Sequence, residues 1–171
     1  MSKIHWVTRT IFLKMFYGKI GKRCYIAPAL YVKRRKKIYL GNDVRILPNM
    51  RAEVYNDGFI KFEGDNSVGQ NLHIISGANL EIGYGTTISS NVFISNIEHS
   101  YTINQSALKN DFKIKDVKIG KYCFIGTGAV ILPGTILGDN VIVGANSTVK
   151  GVFNDGLIIA GSPAKIVKEL K

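Results

Sequence analysis

Acidic residues are missing from the first 37 positions of this chain, which carry eleven Lys or Arg. The remainder holds twelve basic and twelve acidic residues, so the whole net charge of +11 belongs to the first fifth. An asymmetry of this kind points to an anionic partner at that end. Long apolar runs are missing too, and nothing approaches the ~20 residues needed to span a bilayer. Arg9 and Lys14 interrupt the apolar N-terminal segment and no small-residue cleavage site follows, which argues against a secretory signal peptide. Cysteine is scarce. Cys24 and Cys123 are far apart and are expected buried and reduced in a cytoplasmic protein, neither paired nor nucleophilic. Histidine is scarce as well, with His5, His73 and His99 the full set. A zinc site built from three converging histidines is not expected, because His5 lies far off and no Cys or Asp cluster replaces it.

What the chain has is a period. Ile119, Ile125, Ile131, Leu137, Val143 and Val149 recur six residues apart, and Gly120, Gly126, Gly138 and Gly144 follow four of them. Four positions after each aliphatic residue come Cys123, Ala129, Thr135, Val141, Ser147 and Phe153, mostly small. Fixed self-similarity of this length marks a repeat architecture, neither helix nor plain strand. It predicts three flat faces per turn, with the aliphatic residues pointing into a narrow prism and glycines near the corners. The same phase runs backwards through Ile82, Ile88 and Ile94, through Phe62, Val68, Ile74 and Leu80, and through Leu40, Ile46 and Ala52. Ile20, Ile26 and Val32 begin it, with Cys24 and Leu30 as inner partners. Phase slips near Lys37, at Asn56-Asp57-Gly58 and at Glu81 read as corner loops. At three sixes per turn, the pattern gives a single solenoid of about six turns.

One interruption is larger. Ile94 to Ile119 spans 25 residues where six would serve, and the excess, roughly residues 96–118, is expected to be a functional loop with His99 at its root. Ahead of the first coil, residues 1–19 place Ile4, Val7, Ile11 and Met15 at helical spacing, widened by Trp6, Phe12, Leu13 and Phe16. Ser2 and Gly18 suit the helix ends. One reading is a helix whose apolar face plugs the open end of the prism. The other is a basic amphipathic helix lying on an anionic membrane, with Lys33 to Lys37 contributing. Both can hold. Nucleic-acid binding is not expected, because the aromatics fall on the helix's apolar face and offer no stacking platform.

Three features together carry a specific resemblance: the unbroken repeat from Ile119 to Val149, the segment Ala160-Gly161-Ser162-Pro163-Ala164-Lys165-Ile166-Val167-Lys168, and Glu98-His99-Ser100-Tyr101 at the loop root. The chain resembles the hexapeptide-repeat (left-handed β-helix) acyltransferases over nearly its whole length, from about residue 20 to residue 171. It is most similar to the acetyl-CoA-dependent O-acetyltransferases of bacterial surface polysaccharides, including lipopolysaccharide, which are related to the maltose and galactoside acetyltransferases.

The resemblance implies an all-β, left-handed parallel β-helix over 20–171 with a short C-terminal tail. It implies acetyl-CoA as acyl donor, no metal, a glycan or sugar acceptor, and a homotrimer in which each active site forms between two subunits. The expected location is cytoplasmic, at the inner face of the cytoplasmic membrane. His99 would be the general base, a role that suits imidazole with its ordinary pKa near 6.5. Glu98 would orient or polarise it. Gly126, Gly128, Ala129, Gly144 and Ala145 would line the pantetheine groove, with Gly128 offering an N–H to the oxyanion, and Lys165 and Lys168 would meet the phosphates. Ser76, Asn96 and Tyr101 would face the acceptor. Soluble small-molecule acceptors and a non-enzymatic scaffold remain as alternatives.

Overall fold

In the computed structural model, residues 3–106 and 111–170 are described, with side chains of the N-terminal helix from Thr8 onward. Three parallel sheets form the faces of a prism. The first face holds seven strands, from Lys19–Ile20 to Val152–Phe153. The second runs from Tyr25–Ile26 to Leu157–Gly161, and the third from Tyr31–Lys33 to Thr148–Val149. Each strand pairs with its counterpart one coil away, in register. Thr87↔Phe124 and Ile88↔Ile125 on the second face are one example. Six complete coils and a partial seventh result, one more than the period suggested, because Val152–Phe153 and Leu157–Gly161 start another turn beyond the hexapeptide run.

The interior is the predicted phase. Ile82, Ile88, Ile94, Ile119, Ile125, Ile131, Leu137, Val143 and Val149 are all buried, and Cys123, Ala129, Thr135, Val141 and Ser147 share the space beside them. Alternation along each strand sends one residue in and the next out. Coils that stack at strand spacing, about 4.8 Å, leave no room for a side chain at the tightest corners. A Cβ on Gly83 would stand 2.4 Å from the Gly120 carbonyl oxygen, and one on Gly120 would stand 2.3 Å from that of Gly138. Other corners use asparagine in the left-handed conformation, as at Asn71 and Asn91, whose side-chain amides bond to one another at 2.9 Å. Both cysteines are free and buried. Burial pushes their thiols above the ordinary value, further than the local hydrogen bonds can draw them back.

Several expectations need correcting. Leu30 is exposed although it stands in register with buried Met50, and Ala29 packs against the core instead. In the terminal coil only the part under Thr10, Leu13 and Tyr17 is covered, which buries Ile26 but leaves Leu30 exposed. No loop occurs at Glu81, which sits inside the strand Asn79–Ile82 with Leu80 and Ile82 both buried. The two extra residues form the corner at Gly77-Ala78 instead.

The N-terminal helix spans Lys3–Leu13, short of the Tyr17 expected. Its last turn tightens, with Phe16 N–H donating to Leu13 C=O at 2.9 Å, and Gly18 N–H already bonds to the Ile38 carbonyl. Thr10 of the helix and Tyr17 just beyond it turn inward, with Leu13 partly buried, and the Thr10 hydroxyl accepts from Ile26 N–H at 2.8 Å. Among the described apolar residues here, Ile11 and, beyond the helix, Met15 face out, while Leu13 packs against the core. The Ser2 cap and the side chains of Ile4, Trp6 and Val7 lie outside the described residues.

The long interruption is an antiparallel hairpin of Ile97–His99 with Phe112–Ile114, leaving the third face at the end of the fourth coil. At the far end, Ala164–Glu169 folds back antiparallel on Leu157–Gly161 and covers the last edge of the second face.

Candidate active site

The hairpin carries the histidine. In a strand of three residues the first and third share a side, so Ile97 and His99 look one way and Glu98 the other. Opposite them, His99 pairs with Phe112 and Ile97 with Ile114. The His99 and Phe112 rings meet edge to face with centroids 4.7 Å apart, which limits the imidazole's rotation. The hairpin's root is pinned from inside. Asn96 is fully buried; its side-chain oxygen accepts from Gly77 N–H at 2.7 Å and its amide donates to the Ser76 hydroxyl and the Asn79 carbonyl. Gly77 also leaves room for the hairpin, since a Cβ there would lie 3.0 Å from Ile97 and 3.1 Å from Ile114.

Between the hairpin and the outer surface of the third face lies a cavity of about 440 Å³, the size of a small-ligand site. His99, Phe112, Ile97 and Ile114 form one wall, while Ile75, Phe93 and Ser95 form the floor. Tyr55 and Asn56 close one end. There an apolar cavity meets a polar bank that the periodicity did not reveal. Glu53, almost fully buried, accepts from Tyr55 O–H and from Arg51 Nε, each at 2.6 Å, with His73 Nε2 at 3.6 Å, beyond hydrogen-bond reach. Burial alone would raise the Glu53 carboxyl, but the hydrogen bonds from Tyr55 and Arg51 and the Arg51 charge hold it below the usual carboxylate range. Burial and the Arg51 charge likewise hold His73 below the ordinary imidazole value, against the pull of Glu53. Arg51 and His73 are register partners on neighbouring coils, so aligning the chain coil on coil is the signal that finds this bank.

The other candidates divide. Glu98 lies on the opposite side of the strand from His99 and faces Lys150 at 3.4 Å. Ser76 and Asn96 are both fully buried and bonded to backbone at the hairpin root. Tyr101 is exposed on the loop beyond His99. His73 faces outward. Among the described residues no group of three or more His, Cys, Asp or Glu could hold a metal.

Gly126, Gly128 and Ala129 form one corner, and Gly144 and Ala145 lie directly over it, where a Cβ on Gly126 would come within 2.6 Å of Ala145 N. Ala129 is fully buried, whereas Ala145 is exposed. The Gly128 N–H donates to the Ser90 carbonyl at 3.1 Å and is not free for an oxyanion. The same coil strand that starts at this corner, Val130–Ile131, pairs with Phe93 on the cavity floor, so corner and cavity share the third face. The Gly161-Ser162-Pro163 turn is tied to the corner above, Gly161 N–H to Ser147 and the Ser162 hydroxyl to Thr148. It sets Lys165 beside Ala160, over Gly144, while Lys168 lies three residues further along the strand.

A parallel prism with stacked glycine corners and a histidine-walled cavity defines a solenoid transferase, and the comparisons give the family. Residues 116–151 match the bacterial transferase hexapeptide family over six repeats. WbbJ of Escherichia coli K12, a candidate lipopolysaccharide biosynthesis O-acetyl transferase, is 33% identical over 81% of this chain and 75% of its own length. The galactoside O-acetyltransferase of Escherichia coli K12 is 24% identical over 95% of this chain and 68% of its own. Among solved structures, AntD, an N-acyltransferase from Bacillus cereus in complex with dTDP and 3-hydroxybutyryl-CoA, superposes with a TM-score of 0.83 at 23% identity. That match covers 95% of this chain and 88% of the other. The chain belongs to the hexapeptide-repeat acyltransferases and is an enzyme of that class.

Proposed function

We propose that this enzyme transfers an acetyl group from acetyl-CoA to a sugar hydroxyl of a bacterial surface glycan or its precursor, with His99 as general base. The observation that carries the reading is His99 on the wall of a cavity of ligand size, held by a hairpin whose root is bonded into the solenoid. The sugar hydroxyl attacks the thioester carbonyl while His99 takes its proton. The tetrahedral intermediate collapses, the C–S bond breaks, and the CoA thiolate leaves and takes that proton from His99. Attack is direct. Both cysteines are buried with raised thiols, unsuited to act as a thiolate nucleophile, and the buried Ser76 and Thr135 hydroxyls are spent on backbone carbonyls.

The sugar class is supported by the named activities of the relatives and by Tyr55 and Asn56 at the cavity's end, whose polar groups suit hydroxyls. The donor is supported by the acyl-CoA held in the AntD structure and by the corner of Gly126, Gly144 and Ala145 with Lys165 beside it. The exposed Tyr101 and Ile103 on the loop beyond His99 suit a closed homotrimer, in which a neighbouring copy covers the loop and completes the cleft.

Thiol release from acetyl-CoA, measured with free sugars, nucleotide-linked sugars, amino sugars and lipid-linked glycans, tests the proposal. We expect acceptor-dependent release with a hydroxyl sugar, falling about 10²-fold or more in His99→Ala with little change in KM. Release with amino sugars alone overturns O-acetylation. Full activity in His99→Ala overturns the base, and failure to bind acetyl-CoA overturns the donor.

A further inference from the structure

We infer that the N-terminal end of the solenoid docks on an anionic lipid surface through a ridge of Ile11, Phe12, Met15 and Phe16. These side chains, from the last turn of the helix and the turn that follows it, are 64%, 59%, 61% and 44% exposed although all four are apolar. The helix cannot simply roll over to bury them. Thr10 is bonded to Ile26 N–H, Tyr17 is buried beneath, and Lys36 Nζ donates to the Met15 carbonyl at 2.6 Å. The end of the prism is thus sealed by Thr10, Leu13 and Tyr17, and the ridge is left for something else.

Charge selects the occupant. Lys14, Lys19 and Lys36 stand exposed around the ridge, and no acidic residue precedes Asp43, itself held by Arg23 at 2.6 Å. An apolar ridge rimmed by cations fits acyl chains below anionic headgroups. A second copy of the same end would set eleven cations against eleven, which opposes self-association there. Nucleic acid fits less well: the Phe12 and Phe16 rings pack on each other, 5.2 Å apart at 52°, and are not splayed for bases. Docking at this end would hold the His99 cavity three coils along the axis, roughly 15 Å beyond the first coil at about 4.8 Å per coil. This inference stands independently of the acceptor's identity.

The test is co-sedimentation of the full chain with vesicles of phosphatidylglycerol and phosphatidylethanolamine, against vesicles of phosphatidylcholine alone. We expect binding about tenfold or more tighter to the anionic vesicles, weakening as salt rises. Phe12→Ser with Phe16→Ser should lower it about tenfold, and Lys14→Gln with Lys19→Gln and Lys36→Gln about as much, with circular dichroism melts unchanged. Should the serine variant fail to fold, Phe12→Trp supplies a second readout, an emission gain over wild type that brominated lipid quenches. Three results overturn the proposal: no preference for anionic vesicles; binding unaffected by the phenylalanine changes, which marks a polyanion site read by charge alone; or a change in oligomeric mass in the serine variant, which marks the ridge as an interface between copies.

Discussion

In the coil strand Phe93–Ser95, Ile94 is enclosed by Ile74 on one side and Ile131 on the other, with the same aliphatic position repeated along the prism. Two residues later, in the hairpin strand Ile97–His99, there is no coil above or below and only Phe112–Ile114 alongside. The coil obtains its order from stacking, so each position tolerates one kind of side chain and the pattern is printed in the sequence. The hairpin is ordered by its own ladder, by the buried Asn96 at its root and by aromatic and aliphatic contacts, so its pattern does not repeat along the chain.

The sharpest way to break this contrast is to damage each region separately. Ile94→Ala, inside the prism, should cost about 3 kcal/mol of stability in denaturant unfolding, while refolded protein keeps its hairpin. If instead it costs less than about 1 kcal/mol, stacking is not what holds the coils. Asn96→Ala, at the joint between the regions, leaves Gly77 N–H without its partner and should cost about 2 kcal/mol. It should also lower turnover, because His99 loses its anchor. A stability loss with untouched turnover would mean that the hairpin is placed by Phe112 and the isoleucines alone.

A smaller effect comes from the polar bank. The folded His73 pKa lies below its unfolded value of about 6.5, so the unfolded chain binds the proton more readily. The stabilisation by neutral His73 is complete above that value and declines as pH falls beneath it. Thermal unfolding from pH 7.5 to 5.5 should therefore show a steeper decline in wild type than in His73→Gln. Parallel slopes would remove His73 from the pH response. The facing groups from neighbouring elements are Arg51, Glu53 and the Phe93 ring. Glu53, with its depressed carboxyl, adds a second loss only at pH values below the ordinary carboxylate range.

The smallest expected effect is Glu98→Gln. An exposed pair with Lys150 is worth well under about 1 kcal/mol, and turnover should change by less than about threefold. A loss near that of His99→Ala would mean that Glu98 turns towards the ring during the reaction.

How far the sequence could be read follows the same division. A coil position repeats its neighbours' environment, so Ile82, Ile88 and Ile125 announce their burial through period alone. Leu30 obeys the period and is nonetheless exposed, because a repeat states what a coil wants and not whether a coil lies beneath it. The helix shows a related limit: helical spacing defines an apolar stripe but not its direction, and the exposure of Ile11 and burial of Thr10 follow from contacts with the first coil. His99 was visible as a lone histidine at the root of the long interruption. The burial of Ser76 and Asn96, the outward turn of Glu98 and the occupied N–H of Gly128 were not, since each depends on a hydrogen bond to a residue 17 to 52 positions away or on a backbone carbonyl of another coil.

The sequence by itself determined the prism, its in-and-out alternation, the position of the hairpin and the concentration of positive charge at one end, because these depend on local period and composition. Tertiary structure alone decided which polar groups the hairpin root spends on backbone, that Arg51, Glu53, Tyr55 and His73 meet beside the cavity, and that the helix shows its apolar ridge to the outside. Those outcomes rest on register between coils some 20 residues apart, a distance over which no local pattern carries information.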